Sequence, residues 1–265
     1  MILNRQKTKI FAALLFAAMY FCSLSIALAG HLEDIAARGT IRIGTTGDYI
    51  PMSYLNPKTG EYEGIDVELS KLIADSLGVK IEYVPTTWPT LTADTLAGRF
   101  DIALCGISRN YNRAKIMAMS DAYGEGLFGK TILCRKTDVN KYRTISDMNR
   151  PEVRIMINPG GTNEKFARTN LAQAQLIVHN ENADIPRLIA EGEADIMITE
   201  TVEAAQYIKK DSRLAAPLIN APFTRHSCGI LMEKGDQEWL NYINFVLAEL
   251  RMDGTMAKLE EEYLR

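Results

Sequence analysis

Histidine is scarce in this 265-residue chain, and the three present, His31, His179 and His226, fall at no metal-ligand spacing. No phosphate-binding loop, dinucleotide fingerprint or Ser-His-Asp arrangement is visible either. These absences point away from metal- or nucleotide-dependent chemistry, and the expectation is a site that uses no cofactor and no metal. Positive charge is not in excess: 30 Lys+Arg stand against 33 Asp+Glu. Nucleic acid and anionic membrane surfaces are therefore excluded as electrostatic partners. Cysteine is limited to Cys22, Cys105, Cys134 and Cys228. The last three read as small core hydrophobes; their odd number leaves at least one thiol without an intrachain partner, and a single disulfide among them stays open. No low-complexity linker or internal repeat occurs, and after about Leu24 there is no second long apolar run.

The one such run, from Ile10 to about Leu24, follows Arg5, Lys7 and Lys9 and ends at Ala27-Leu28-Ala29. That is the order of a secretory signal peptide, expected to span residues 1–29 and to be cleaved after Ala29. The run is shorter than the ~20 residues that span a bilayer comfortably. Its removal leaves 27 Lys+Arg against 33 Asp+Glu, a formal charge of −6. The expected product is a periplasmic protein with no membrane association.

Short β-rich runs alternate with amphipathic helical patterns over the rest of the chain, which predicts an α/β architecture. Strands are expected at 41–44, 80–84 and 100–104, with helices at 66–77 and 91–97 between them. The alternation resumes with strands at 153–157, 175–179 and 195–199 and helices at 162–170, 183–191 and 202–209, then closes with a strand at 229–232 and a helix at 239–251. The expectation is a two-lobed fold, each lobe a mixed sheet flanked by helices. Lobe 1 comprises 30–127 plus 222–265, and lobe 2, 128–221, is inserted in it. Ligands of open α/β sheets sit beyond the carboxyl ends of the strands, so the strand-exit loops carry the functional information.

Those loops are distinctive. Thr45-Thr46-Gly47-Asp48-Tyr49-Ile50-Pro51 follows the first strand, and Gly64-Ile65-Asp66-Val67-Glu68-Leu69 opens the first long helix. Val84-Pro85-Thr86-Thr87-Trp88-Pro89, Gly106-Ile107-Ser108, Arg113-Ala114-Lys115 and Ser120-Asp121-Ala122-Tyr123 come next, and Gly98-Arg99-Phe100-Asp101 has a later counterpart in Gly192-Glu193-Ala194-Asp195. This succession resembles the polar amino-acid binding proteins of the type II periplasmic solute-binding fold, over essentially the whole chain after the leader. The segment Asn158-Pro159-Gly160-Gly161-Thr162-Asn163-Glu164-Lys165-Phe166-Ala167-Arg168 is similar in particular to the periplasmic cyclohexadienyl dehydratases, members of that fold that act as enzymes. The resemblance implies decarboxylative dehydration of prephenate to phenylpyruvate or of arogenate to phenylalanine. The alternative it leaves is an amino-acid-binding protein serving an ABC permease. The chain departs from the dehydratase pattern at Cys105, over residues 124–131, and at Glu200, where Asp is expected.

A small carboxylate metabolite needs a bidentate cation and oriented donors. Arg113, near the start of a helix, is expected to hold a ligand carboxylate, aided by Ser108 and by backbone N–H groups such as that of Gly106. Gly161, Thr162 and Asn163 open another helix, whose free N–H groups favour a second anion. Tyr49 and Trp88 are placed to lie along an apolar ring. Glu200 stands where, by the resemblance, an acid accepts the ammonium group of an amino-acid ligand. Glu164 is the expected catalytic acid, because expelling hydroxide from a cyclohexadienol requires a proton and burial beside an anion raises a carboxyl pKa. The helix dipole and Arg168, four residues on, pull the other way. Lys165 is expected to add charge stabilisation.

Overall fold

The computed structural model describes residues 30–264; the expected signal peptide lies outside the described residues. Helix α1 (His31–Arg38) ends at Gly39 and leads into β1 (Thr40–Thr45), whose Ile41 and Ile43 are buried. A small antiparallel sheet follows, made of β2 (Asp48–Tyr49), β3 (Ser53–Leu55) and β4 (Tyr62–Glu63). Helix α2 (Ile65–Leu77) buries Ile65, Leu69 and Ile73 at helical spacing. After it come β5 (Lys80–Pro85), α3 (Leu91–Leu96), β6 (Ile102–Ala103), α4 (Tyr111–Ile116) and β7 (Ala118–Met119).

The chain leaves this first group along β8 (Tyr123–Phe128) and enters β9 (Lys130–Arg135). It continues through α5 (Ile145–Met148), β10 (Arg154–Ile157), α6 (Thr162–Asn170), β11 (Gln175–Val178) and α7 (Ile185–Glu191). Then follow β12 (Ile196–Glu200), α8 (Thr201–Lys210) and β13 (Leu214–Ala215). The return runs through β14 (His226–Cys228), which pairs antiparallel with β8, to β15 (Leu231–Met232), α9 (Gln237–Met252) and α10 (Thr255–Leu264).

Two five-stranded sheets result, ordered β5-β1-β6-β15-β7 and β11-β10-β12-β9-β13. In the first, β1 is parallel to β5 and β6 and β15 runs antiparallel; in the second, β10 is parallel to β11 and β12 and β9 runs antiparallel. Successive crossovers leave in opposite directions on either side of β1 and of β10. Each sheet thus has a switch point, between β1 and β6 and between β10 and β12, where loops part and leave a crevice. This is the two-lobed mixed-sheet fold that the alternation predicts. Cys105, Cys134 and Cys228 are buried and free, and among the described residues no helix is long and apolar enough to cross a membrane.

The two Gly-x-x-Asp motifs have one structural task each. Asp101, 2% exposed, accepts the Arg42 N–H at 2.7 Å and Arg42 Nη2 at 2.8 Å, and also pairs with Arg38. Asp195 repeats this in the second sheet, accepting the Arg154 N–H at 2.9 Å, Arg154 Nη2 at 2.9 Å and Arg135 Nη2 at 3.0 Å. Each aspartate, standing just before a strand, locks that strand onto an arginine of the central strand beside it. Removing it orphans a backbone donor and two partly exposed guanidinium groups. Asp101→Ala is therefore expected to destabilise the protein by about 2 kcal/mol, read as a lower urea midpoint with ligand affinity unchanged.

Candidate functional site

The carboxyl ends of β1, β5, β6, β10 and β12 converge on one cavity between the sheets, with a volume of about 40 Å³. The lobes touch around it. Gly160 has φ 87°, and a Cβ there would come within 2.3 Å of the Pro89 nitrogen; Asn182 Nδ2 donates to the Asp48 carbonyl at 3.1 Å. The cleft is closed, and its cavity has room for only one or two waters. A metabolite enters only when the lobes part.

The first lobe contributes Tyr49, Trp88, Gly106, Ser108 and Arg113 to the lining. Trp88 donates Nε1–H to Asp48 Oδ1 at 3.1 Å, and its ring meets that of Tyr49 edge-on at 6.1 Å. The Tyr49 hydroxyl is buried and has no hydrogen-bond partner. Gly106 adopts φ 69°, and a Cβ would strike the Tyr49 ring at 2.3 Å. Its N–H, expected to face the ligand, is instead taken by the Asp66 carboxylate at 2.5 Å, which also accepts the Tyr123 hydroxyl at 2.7 Å. Burial pushes Asp66 up to about 7. Helix α4 is capped by Asn110 Oδ1, which accepts the Arg113 N–H at 3.0 Å, and Arg113 Nη1 donates to the Ser108 carbonyl at 2.8 Å. These two bonds fix the guanidinium against the cavity wall.

From the second lobe come Gly161, Thr162, Asn163 and Glu200, together with Asn158. The Asn158 amide donates to the His179 and Asn180 carbonyls at 3.3 and 2.7 Å and so ties its loop to the neighbouring one. A lysine in the stretch 124–131, where the chain departs from the dehydratase pattern, connects the rest. Lys130, 5% exposed at the start of β9, donates from Nζ to Thr162 Oγ1 at 2.7 Å, to Asn163 Oδ1 at 2.6 Å and to Glu200 Oε1. The antiparallel register sets Lys130 directly opposite Glu200. Glu200 Oε2 lacks a hydrogen bond but lies 3.4 Å from His226 Nε2, an ion-pair distance, and the same nitrogen is 3.2 Å from Ser108 Oγ. Burial acts to raise the Glu200 pKa, yet the Lys130 charge and His226 outweigh it and hold the carboxyl below its ordinary range.

Glu164 stands outside this group. Its Oε2 accepts the Gly160 N–H at 2.7 Å and its Oε1 pairs with Arg168 Nε at 2.8 Å. The Gly160 N–H, with help from Arg168, holds the carboxyl below its ordinary range. In this arrangement Glu164 is thus tied to its own loop and to its helix neighbour rather than turned into the cavity. Lys165 is exposed and does not line the cavity either. Glu164→Gln is expected to change kcat by less than about threefold, since only a first-turn cap and a surface pair are lost; steady-state kinetics beside the wild type check this.

A second glutamate is more deeply buried. Glu203, one turn beyond Glu200 on α8, is 1% exposed. Its Oε2 accepts the Thr199 hydroxyl and its Oε1 accepts Asn182 Nδ2 at 3.0 Å, the amide that also reaches the Asp48 carbonyl across the cleft. Burial, reinforced by the charges of Asp48 and Glu200, pushes its carboxyl up to about 8. Burial, and after it the carboxylate of Glu200, pushes the hydroxyl of the cavity-lining Tyr49 well above its ordinary value. Among the described residues, no cluster of His, Cys, Asp and Glu is arranged to hold a metal ion.

The chain matches the bacterial extracellular solute-binding proteins, family 3, over residues 41–265. A cyclohexadienyl dehydratase of Pseudomonas aeruginosa is 36% identical over 88% of this chain and 86% of its own length. An L-cystine-binding protein of Escherichia coli is 26% identical over 90% of this chain and 88% of its own. The crystal structure of an ancestral amino acid-binding protein, described as a precursor of cyclohexadienyl dehydratase, is similar with a TM-score of 0.82 at 35% identity, covering 89% of this chain and 100% of that one. An ancestral cyclohexadienyl dehydratase is 50% identical over 89% of this chain and 97% of its own, with a TM-score of 0.55.

Proposed function

Because this chain belongs to the bacterial extracellular solute-binding proteins, family 3, we propose that its lobes close in the periplasm on a cyclohexadienol carboxylate and catalyse its decarboxylative dehydration. The observation that carries this reading is Glu203. A dehydratase must supply a proton to a leaving hydroxyl, and Glu203, three residues on from the cavity-lining Glu200, is a buried carboxyl whose pKa burial pushes up to about 8. The 36% identity to a cyclohexadienyl dehydratase supports it.

The chemistry then divides among named residues. Arg113 holds one substrate carboxylate by charge-assisted hydrogen bonds. Trp88 and Tyr49 lie along the six-membered ring. Closure expels water and brings the ring hydroxyl toward Glu203. Glu203 protonates that hydroxyl, the C–O bond breaks and water leaves; the ring carboxylate departs as carbon dioxide, and its bonding pair completes the aromatic ring. Prephenate would yield phenylpyruvate and arogenate would yield phenylalanine.

The second reading is a binding protein that delivers an amino acid to an ABC permease, and the TM-score of 0.82 to an ancestral amino acid-binding protein favours it. One experiment separates the two. Purified protein is incubated with prephenate and, separately, with arogenate, and phenylpyruvate is followed by absorbance and phenylalanine by chromatography. Catalytic product formation supports the dehydratase; no product, together with tight binding of an amino acid, makes the chain a transport protein.

A further inference from the structure

A buried cation directly behind the cavity lining has no part in the proposed reaction. Glu200 is the carboxylate placed to receive an ammonium group, but its Oε1 is already bonded to the Lys130 ammonium. Lys130 is held there by β9 pairing with β12 and by the Thr162 and Asn163 oxygens at 2.7 and 2.6 Å. The free oxygen of Glu200 faces His226 Nε2 at 3.4 Å. Arg113 and Glu200 line the cavity, and Lys130, buried behind Glu200, pairs with its carboxylate.

We infer that Lys130 is a specificity-determining residue that makes the cleft select an α-keto acid over the matching α-amino acid. A keto or carboxylate oxygen accepts an N–H of Lys130 in place of Thr162 or Asn163, exchanging one acceptor for another. An ammonium cannot bond to Lys130, finds Glu200 neutralised, and places a second positive charge beside a buried one, a like-charge contact of the kind used to reject wrong partners. The inference rests on the proposed dehydratase for the identity of the ring and predicts prephenate, not arogenate, as the preferred substrate.

The test needs no turnover. Phenylpyruvate and L-phenylalanine share the ring and carboxylate and differ only at the α-carbon, so their affinities are compared by isothermal titration on wild type, Lys130→Met and Lys130→Arg. Wild type and Lys130→Arg are expected to bind phenylpyruvate roughly ten- to a hundredfold more tightly than L-phenylalanine. Lys130→Met is expected to abolish or reverse that ratio, chiefly by gaining affinity for L-phenylalanine. If Lys130→Met fails to fold with Glu200 left unpaired, Lys130→Met/Glu200→Gln removes both charges and is expected to show no preference. Equal binding by wild type, binding of neither probe, or a preference that survives loss of Lys130 overturns the inference. The dehydratase reading fails separately, as an absence of product from either substrate.

Discussion

Glu203→Gln is expected to lower kcat by roughly a hundred- to ten-thousandfold, the span of general acid catalysis, while leaving phenylpyruvate affinity within a few-fold of wild type. The amide has the same shape and can still bond to Thr199, but it has no proton to give. The substitution also has a signature in stability. The folded state holds the Glu203 proton from the ordinary glutamate value of 4.5 up to about 8. Its contribution is complete below that interval and is lost as pH rises through it. Wild type is thus expected to melt at falling temperature between pH 5 and 8, and Glu203→Gln at a more level one. Asp66, pushed up to about 7, acts in the same direction and remains in the variant, so the slope is reduced rather than removed. Thermal melts across this range read the effect without any substrate.

Arg113→Met is expected to weaken binding of phenylpyruvate by roughly a hundred- to a thousandfold, as loss of one partner from a desolvated charge pair does. Lysine should restore only part of this, because a point charge cannot reproduce the planar fork. The fold is expected to persist: among the described residues the Arg113 side chain donates only to the Ser108 carbonyl, and its backbone N–H keeps the Asn110 cap. Isothermal titration of both variants gives the comparison.

Much of this site was legible before any coordinates because its geometry is local. A strand followed by Gly, Pro and an aromatic residue declares a ligand loop, and that logic located Tyr49, Trp88, Ser108, Arg113 and the residues Gly161 to Asn163 at the cavity wall. The two Asp101- and Asp195-centred motifs were visible for the same reason. What escaped depends on register and on contact between the lobes. Lys130, whose place relative to the dehydratase pattern the sequence left open, is set behind the cavity-lining Thr162, Asn163 and Glu200 because β9 pairs antiparallel with β12 in the register that opposes it to Glu200, and no periodicity encodes that pairing. Glu203 follows Val202 in an amphipathic helix and reads as a solvent-facing acid. It is buried because Asn182 and the Asp48 loop cover it. The short strands β2, β3 and β4 were hidden in what read as an aromatic-proline loop, being too brief to alternate. For Glu164, the pairing with Arg168 was written in the i, i+4 spacing, and its capping of Gly160 is ordinary chemistry for a first helical turn.

The central claim is that a closed solute-binding cleft has become catalytic through a carboxyl kept protonated by burial, and a pH–rate profile with prephenate tests it most directly. The account predicts phenylpyruvate formation whose kcat is level around neutrality and falls by about tenfold per unit above pH 8, as Glu203 loses its proton. No product at any pH, or a rate that holds steady well above pH 8, would contradict it.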